Sequence, residues 1–336
     1  MAEKENSLAA TFASRAGKTL RVALHATPVI AGGLFLAYPP ALQHFGEKFP
    51  KHDPTLLSDS ATPHTVENTA LDYLTYGDSE NPWVILIHGS PGGASLFDDL
   101  SVELSEPPNS ELKGHFVIAV NRAGYGEDNS KDPECSVEAH ADNLKTVLDD
   151  AQIKNKMSHG SAEKSITLFG HSYGGPVALW FAADNPEIKT NLVLSGSGAD
   201  PSFNWFALND PTGRIAMKWA LGTNLQREYA NKLGHTHLTA SYVEMNCLQS
   251  GLGELAPRLT DIAASTIILN GNNDSVVPVR HGNFLHDKLP NSTLITDFED
   301  TNGKELKGMD AHRLYRLPFA INPVLKAIRS SLAPTP

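Results

Sequence analysis

The sequence predicts a doubly wound, mostly parallel α/β sheet with a helical lid insertion, and three observations carry that reading. From residue 71 onward, short apolar runs alternate with segments of helical periodicity, the pattern of strands joined by crossover helices. The runs are continuously apolar, as in "WVILIHG" at 83–89 and "HFVIAV" at 115–120. Strands covered by helices on both faces lose the apolar/polar alternation of half-exposed ones. Finally, each run ends in polar or glycine-rich material: "HGSPGG", "NRAGYG", "GHSYGG", "SGSGAD" and "NGNNDS". Active groups of such sheets gather at the carboxyl ends of the strands.

Taken in chain order, residues 1–70 differ from the rest. Arg15, Lys18 and Arg21 precede "VALHATPVIAGGLFLAY" at 22–38, and no Asp, Glu, Lys or Arg falls between Arg21 and Glu47. The apolar core is short beside the roughly 20 residues that usually span a bilayer. His25, Pro28, Gly32 and Gly33 interrupt it. A positive flank on its N-terminal side would leave the N-terminus of an anchored chain in the cytoplasm. Residues 1–45 are therefore read as a membrane anchor or signal segment, with membrane association through residues 20–42. "AGG" at 31–33 is the candidate cleavage site of an exported form, and a soluble cytoplasmic arm packed on the domain is the alternative. Residues 46–70, rich in Pro, Ser, Thr and Asp, read as a linker.

The core is assigned to residues 71–198 and 262–336. "LDYLTY" is a strand closed by the turn residues Gly77 and Asp78. "SVEAHADNLKTVLDDA" has helical periodicity, with Ser136 as N-cap and Glu138 in the first turn. "SITLFG" is a third buried strand, "PVALWFAADNP" an apolar helix stopped near Asn185 and Pro186, and "TNLVLSGSG" a fourth strand. "STIILNG" at 265–271 is a fifth, "STLITDF" a further strand, and "LYRLPFAINPVLKAIRSSL" a broken closing helix. Residues 199–261 between the fourth and fifth strands read as the lid.

A chain of 336 residues with 40% hydrophobic and 19% charged residues is long enough for one large α/β domain with an insertion. Net charge is −11, and without a Lys/Arg-rich run nucleic acid is not an expected partner. Cys135 and Cys247 show neither CxxC spacing nor a nearby His cluster, so no zinc or redox motif is indicated. Sequence alone does not bring them together, and pairing is not the favoured reading.

"LFGHSYGGP" at 168–176 places Ser172 between glycines, after a strand and before a helix. G-x-S-x-G in that context is a nucleophile elbow, which exposes the serine at the tip of a strained turn. The chain has no GKS or GKT, and its glycine spacing is not G-x-G-x-x-G; both absences weigh against phosphate and dinucleotide loops. With "HGSPGG", "NRAGYG", "GHSYGG", "NGNNDSVVP" and "DAHR" in this order, the sequence resembles the α/β-hydrolase superfamily over about residues 70–200 and 262–330. It departs from that pattern at Asn121, where the family usually has Asp, and at Ala311, where Gly usually precedes the final histidine.

Ser172 is the expected nucleophile, and a neutral serine needs a base. The later histidines are His235, His237, His281, His286 and His312. The resemblance implies His312, after a strand and a polar loop and before the closing helix, with His281 as the main alternative. It likewise implies Asp274 as the acid that orients the base. Asp200 is the alternative location, and Asp300 and Asp310 read as solvated loop charges. The oxyanion hole should take backbone N–H groups from Ser90 and Tyr173. His88 resembles the family's structural histidine. Neither a cofactor nor a metal is expected. Phe203, Trp205, Phe206, Trp219, Tyr229 and Tyr242 form the lid's own core or line an apolar pocket for an acyl or alcohol group.

These residues imply a serine hydrolase that cleaves a small carboxylic ester through an acyl-enzyme. The alternatives are an aminopeptidase, with Glu228, Glu244 and Glu254 available for a substrate amine, a C–C bond hydrolase with the same triad, and a non-catalytic receptor on the same fold. An epoxide hydrolase or dehalogenase is disfavoured, because those carry Asp where Ser172 stands.

Overall fold

A computed structural model describes residues 57–107, 114–126, 134–154, 165–202, 227, 236–318 and 322–331. Its strands are β1 (Thr62–Thr65), β2 (Asp72–Tyr76), β3 (Trp83–Ile87), β4 (Phe116–Val120), β5 (Ile166–His171), β6 (Thr190–Ser195), β7 (Ser265–Leu269) and β8 (Ser292–Ile295). The helices are α1 (Asp98–Ser105), α2 (Val137–Lys154), α3 (Gly174–Asp184), α4 (Thr236–Leu255), α5 (Arg280–Lys288), α6 (Gly308–His312) and α7 (Pro323–Ser331). The eight strands form one sheet in the order β1-β2-β4-β3-β5-β6-β7-β8. The pairs β1–β2 and β2–β4 are antiparallel, and every pair from β4 to β8 is parallel.

Burial explains why the central strands read as unbroken apolar runs. All five residues of β3 are buried. Ile85 and Ile87 join a cluster with α2, α3 and α4, whereas Val84 and Leu86 join a second cluster with α1 and α7. Alternate residues thus feed two cores rather than one core and water, each fully buried aliphatic side chain contributing roughly 1.5–3 kcal/mol. Helix α3 is buried from Gly174 to Ala182, so it too is apolar nearly all round. Helix α2 starts as expected: the Ala139 N–H donates to Ser136 Oγ at 3.2 Å, an N-cap bond.

The strand order creates the crevice in which a site can form. From β3 the chain runs outward to β4 on one side, and on the other side of β3 lies β5, paired to it up to Ile87↔Gly170. That reversal is a topological switch point, and the loops leaving β3 and β5 diverge around it.

Three expectations need revision. Within the span read as a linker, Thr62–Thr65 forms the edge strand β1, and Val66 and Leu71 are buried. The Pro63 that suggested a linker is tolerated because an edge strand has one unpaired side. Within the span read as a lid, α4 packs Leu248, Leu252 and Leu255 into the core beside α2 and α3. These residues form a 3.6-period stripe that the polar residues between them obscure. Residues 203–226 and 228–235, carrying Phe203, Trp205, Phe206, Trp219, Glu228, Tyr229 and His235, lie outside the described residues, as do residues 1–56 with the expected anchor. No described helix is long and apolar enough to cross a membrane. Finally, Cys135 and Cys247 are joined in a disulfide with their Cα atoms 5.7 Å apart. They meet because α4 lies against the start of α2, where Gly251 faces Val137.

Candidate active site

Ser172 occupies the turn between β5 and α3 with φ at 54°. Left-handed backbone costs a non-glycine residue about 1–2 kcal/mol, and neighbouring hydrogen bonds hold it there. The Ser172 N–H donates to the Ser195 carbonyl at 3.0 Å, and the Ser172 carbonyl accepts from the N–H groups of Gly175 (3.1 Å) and Gly198 (3.3 Å). The flanking glycines are required by close approach. A Cβ on Gly170 would lie 2.7 Å from the Gly174 carbonyl oxygen, and one on Gly174 would lie 2.8 Å from the His88 carbonyl oxygen. Strand, turn and helix are too close for larger side chains, and the serine at the tip stays partly exposed.

The loop after β3 forms the facing wall. A Cβ on Gly89 would fall 2.8 Å from the Ser172 Cβ, so this loop touches the elbow directly. Ser90 follows Gly89, and Tyr173 precedes the first turn of α3, where backbone N–H groups lack intrahelical acceptors. His88 is fully buried. Its Nε2 accepts from the Arg122 N–H at 3.2 Å and its Nδ1 donates to the Gly89 carbonyl at 2.7 Å. Burial, then the neighbouring Arg122 charge, push its pKa well below the usual histidine value, so it is a neutral structural side chain.

Beyond β6, His312 and Asp274 meet. His312 Nδ1 lies 2.9 Å from Asp274 Oδ2, and both residues are buried. The other oxygen, Asp274 Oδ1, accepts from the Val276 and Val277 N–H groups at 2.7 and 2.9 Å, which fixes the carboxylate. Gly196, the residue after Ser195, packs under the pair: a Cβ there would lie 2.7 Å from His312 Nδ1 and 3.2 Å from Asp274 Oδ2. Its φ is 51°, so glycine is required twice over. The pair therefore lies over the strand end that also binds the Ser172 backbone. Ala311, the departure from Gly before His312, packs against Gly271, where a Cβ would lie 3.0 Å from the Ala311 Cβ. Asn121, the other departure, accepts from the Ala94 N–H at 2.7 Å and donates to Asp72, an anchoring role in the loops.

The alternatives are held elsewhere. Asp200 Oδ1 accepts from the Ser202 N–H (2.9 Å) and hydroxyl (2.6 Å), and its Oδ2 from Arg280. His281 Nδ1 accepts from the Ala199 and Asp200 N–H groups at 3.1 and 3.0 Å. His286 bonds Ser292 at the surface, and His237 is buried in α4. Asp300 caps its own turn and Asp310 is exposed.

The sequence reading missed His171 and the partners of Glu244. His171, beside Ser172, packs its ring at a tilt 4.7 Å from the His312 ring and edge-on 4.8 Å from the Tyr315 ring, and its Nε2 lies 3.2 Å from the His312 carbonyl. Burial, then His312, push its pKa well down. Glu244 forms a buried ion pair with Arg122, accepts from Tyr125 at 2.5 Å, and stands 3.5 Å from His140. The tight glycine turns and "NRAGYG" were visible in the sequence; the partner of Arg122 was not. Glu244 cannot serve a substrate amine while it is so engaged, and Glu254 is exposed.

The sequence model of the alpha/beta hydrolase fold family matches residues 82–252. An uncharacterized protein of Mycobacterium tuberculosis strain H37Rv is 25% identical over 247 residues, covering 63% of this chain and 67% of that one. Among solved structures, a bacterial membrane phospholipase A superposes with a TM-score of 0.55 at 18% identity, covering 94% of this chain and 98% of the other. A monoacylglycerol lipase of Paleococcus ferrophilus gives 0.53 at 20% identity, covering 79% and 98%.

Proposed function

This chain belongs to the α/β-hydrolase fold family, and from that premise we propose that it cleaves a carboxylic ester through an acyl-enzyme. Ser172 acts as nucleophile, His312 as general base and Asp274 as the acid that orients it. The observation that carries the reading is the juxtaposition of a left-handed, partly exposed serine with a buried, hydrogen-bonded His–Asp pair on neighbouring strand ends.

In this mechanism Ser172 Oγ attacks the ester carbonyl while His312 Nε2 takes its proton. Asp274, bonded to Nδ1–H, keeps Nε2 free to accept and stabilises the imidazolium. The N–H groups of Ser90 and Tyr173 receive the oxyanion. Collapse of the tetrahedral intermediate expels the alcohol, which takes the proton from His312. Water activated by the same imidazole then hydrolyses the acyl-enzyme and regenerates Ser172. No cofactor is required for these steps. Lipases among the structural neighbours accord with an apolar acyl or alcohol part in the substrate.

The Cys135–Cys247 bridge supports an oxidising compartment, which fits export or anchoring through residues 20–42. Cell fractionation tests this: a version starting near residue 60 should need no detergent, and equal solubility of the full chain would end the anchoring proposal.

The test of the reaction is a fluorophosphonate probe with a panel of p-nitrophenyl esters and aminoacyl-anilides. The probe should label Ser172, and Ser172→Ala should abolish labelling and lower kcat by about 10⁴-fold or more. Anilide turnover without ester turnover would favour the aminopeptidase reading, and labelling without any turnover the receptor. Substantial activity in the purified Ser172→Ala protein would end the serine-hydrolase proposal.

A further inference from the structure

The buried Arg122–Glu244 pair lies beside both proposed oxyanion donors without belonging to the triad. The Arg122 side chain is 2% exposed and that of Glu244 is 0% exposed. Arg122 Nε donates to the His88 carbonyl at 3.1 Å, and its Nη2 donates to the Gly89 carbonyl at 3.0 Å. The guanidinium lies 4.5 Å above the Tyr173 ring and 4.7 Å above the Tyr125 ring. One cation therefore touches the loop of one donor and the side chain of the other.

Peptide planarity turns that grip into direction. The Gly89 carbonyl and the Ser90 N–H belong to one rigid, planar unit. The Gly89 carbonyl oxygen accepts from both Arg122 Nη2 and His88 Nδ1. With its oxygen held from that side, the N–H of the same unit is aimed away from it. The Ser90 side chain is anchored as well, by Ser241 at 2.7 Å and Tyr125 at 3.2 Å. Tyr125 in turn donates to Glu244.

Both anchoring side chains of α4, Ser241 and Glu244, are three residues apart and share one helix face. Burial would raise the Glu244 carboxyl, but Arg122 and His140 outweigh it and hold its pKa at about 2, so the carboxylate remains charged. Without that charge the guanidinium would lose its partner and its fixed orientation.

We propose that Glu244 is the positioning residue of the oxyanion hole: it holds Arg122, which grips the Gly89 carbonyl and thereby aims the Ser90 N–H. The inference rests on the serine-hydrolase reading above. It makes α4, which lies within the span read as a lid, a support of the hole.

The experiment compares a p-nitrophenyl ester with its thiono analogue on the full-length protein and on Glu244→Gln. A thiocarbonyl sulfur is larger and a poorer acceptor, so well-aimed donors favour the oxygen substrate selectively. Removing an oxyanion donor costs about 10²–10³-fold in kcat; misaiming one should cost roughly 10- to 100-fold. Glu244→Gln should lose that much kcat on the oxygen ester with little change in KM, and only a few-fold on the thiono ester. Should Glu244→Gln fail to fold, Tyr125→Phe removes only the hydroxyl that links Ser90 to Glu244 and should show a smaller loss with the same selectivity. Equal losses on both substrates, a loss confined to KM, or no loss would overturn the inference. A wild-type protein that neither labels with fluorophosphonate nor turns over the ester would instead overturn the reading on which it rests.

Discussion

Replacing Asp274 by Asn separates the two carboxylates that the sequence left in competition. The geometry dictates which bonds survive. Asn Oδ1 can still accept from the Val276 and Val277 N–H groups, which Asp274 binds at 2.7 and 2.9 Å, so the turn should stay folded. The new amide NH₂ then faces His312 Nδ1, 2.9 Å from the present Oδ2. It can only donate, which forces Nδ1 to accept and places the ring proton on Nε2. That tautomer cannot take the proton of Ser172, and no negative charge remains to stabilise the imidazolium. The expected loss is about 10⁴-fold in kcat, or about 5 kcal/mol of barrier, with KM nearly unchanged. Asp200→Asn is the control. It keeps an acceptor for Ser202 and loses an ion pair to an Arg280 side chain that is 52% exposed. Such a pair contributes about 1 kcal/mol or less, and kcat should hold. Steady-state kinetics with a p-nitrophenyl ester, alongside thermal melts, read both effects. A folded Asp274→Asn protein that keeps a tenth of its kcat, or an inactive Asp200→Asn, would refute the assignment.

Stability should fall as pH drops below about 6.5, because burial lowers the His281 pKa to about 4. The folded protein resists a proton that the unfolded chain accepts, which costs roughly 3 kcal/mol by pH 4. His88, His115, His140 and His171 shift in the same direction. Melting temperatures at pH 7, 6 and 5 check this, and a flat profile would contradict it. Reduction of the Cys135–Cys247 bridge, or Cys247→Ser, should lower stability by about 2–5 kcal/mol, because the bridge closes a long loop. Urea midpoints that do not respond to reductant would mean that the cysteines are not paired in the folded protein.

What could be read from the sequence follows from the range over which each feature is encoded. The parallel strands were visible because burial on both faces leaves a local mark, an unbroken apolar run such as "WVILIHG". The turn at Ser172 was visible because a strained loop needs glycines within two residues of it. Features that join distant segments leave no such mark. Cys135 and Cys247 are 112 residues apart, and Arg122 and Glu244 are 122 apart. On the helix that carries it, Glu244 looks like any solvated charge. Strand β1 was missed for a milder reason, since four residues containing a proline resemble a linker until an edge partner is known.

The same distinction bears on what the buried pair does. Removing two charges from water costs several kcal/mol per ion, and their attraction in the interior roughly repays it, so such a pair adds little net stability. An apolar pair of equal volume would hold α4 to the core as well. It could not hold the Gly89 carbonyl, which needs a donor arriving from one direction. Arg122 supplies that donor, and Glu244 fixes its direction while meeting the guanidinium's remaining demand for an acceptor. The pair's effect thus falls on the orientation of one peptide unit, which is why the thiono comparison, rather than a melting curve, is the measurement that detects it.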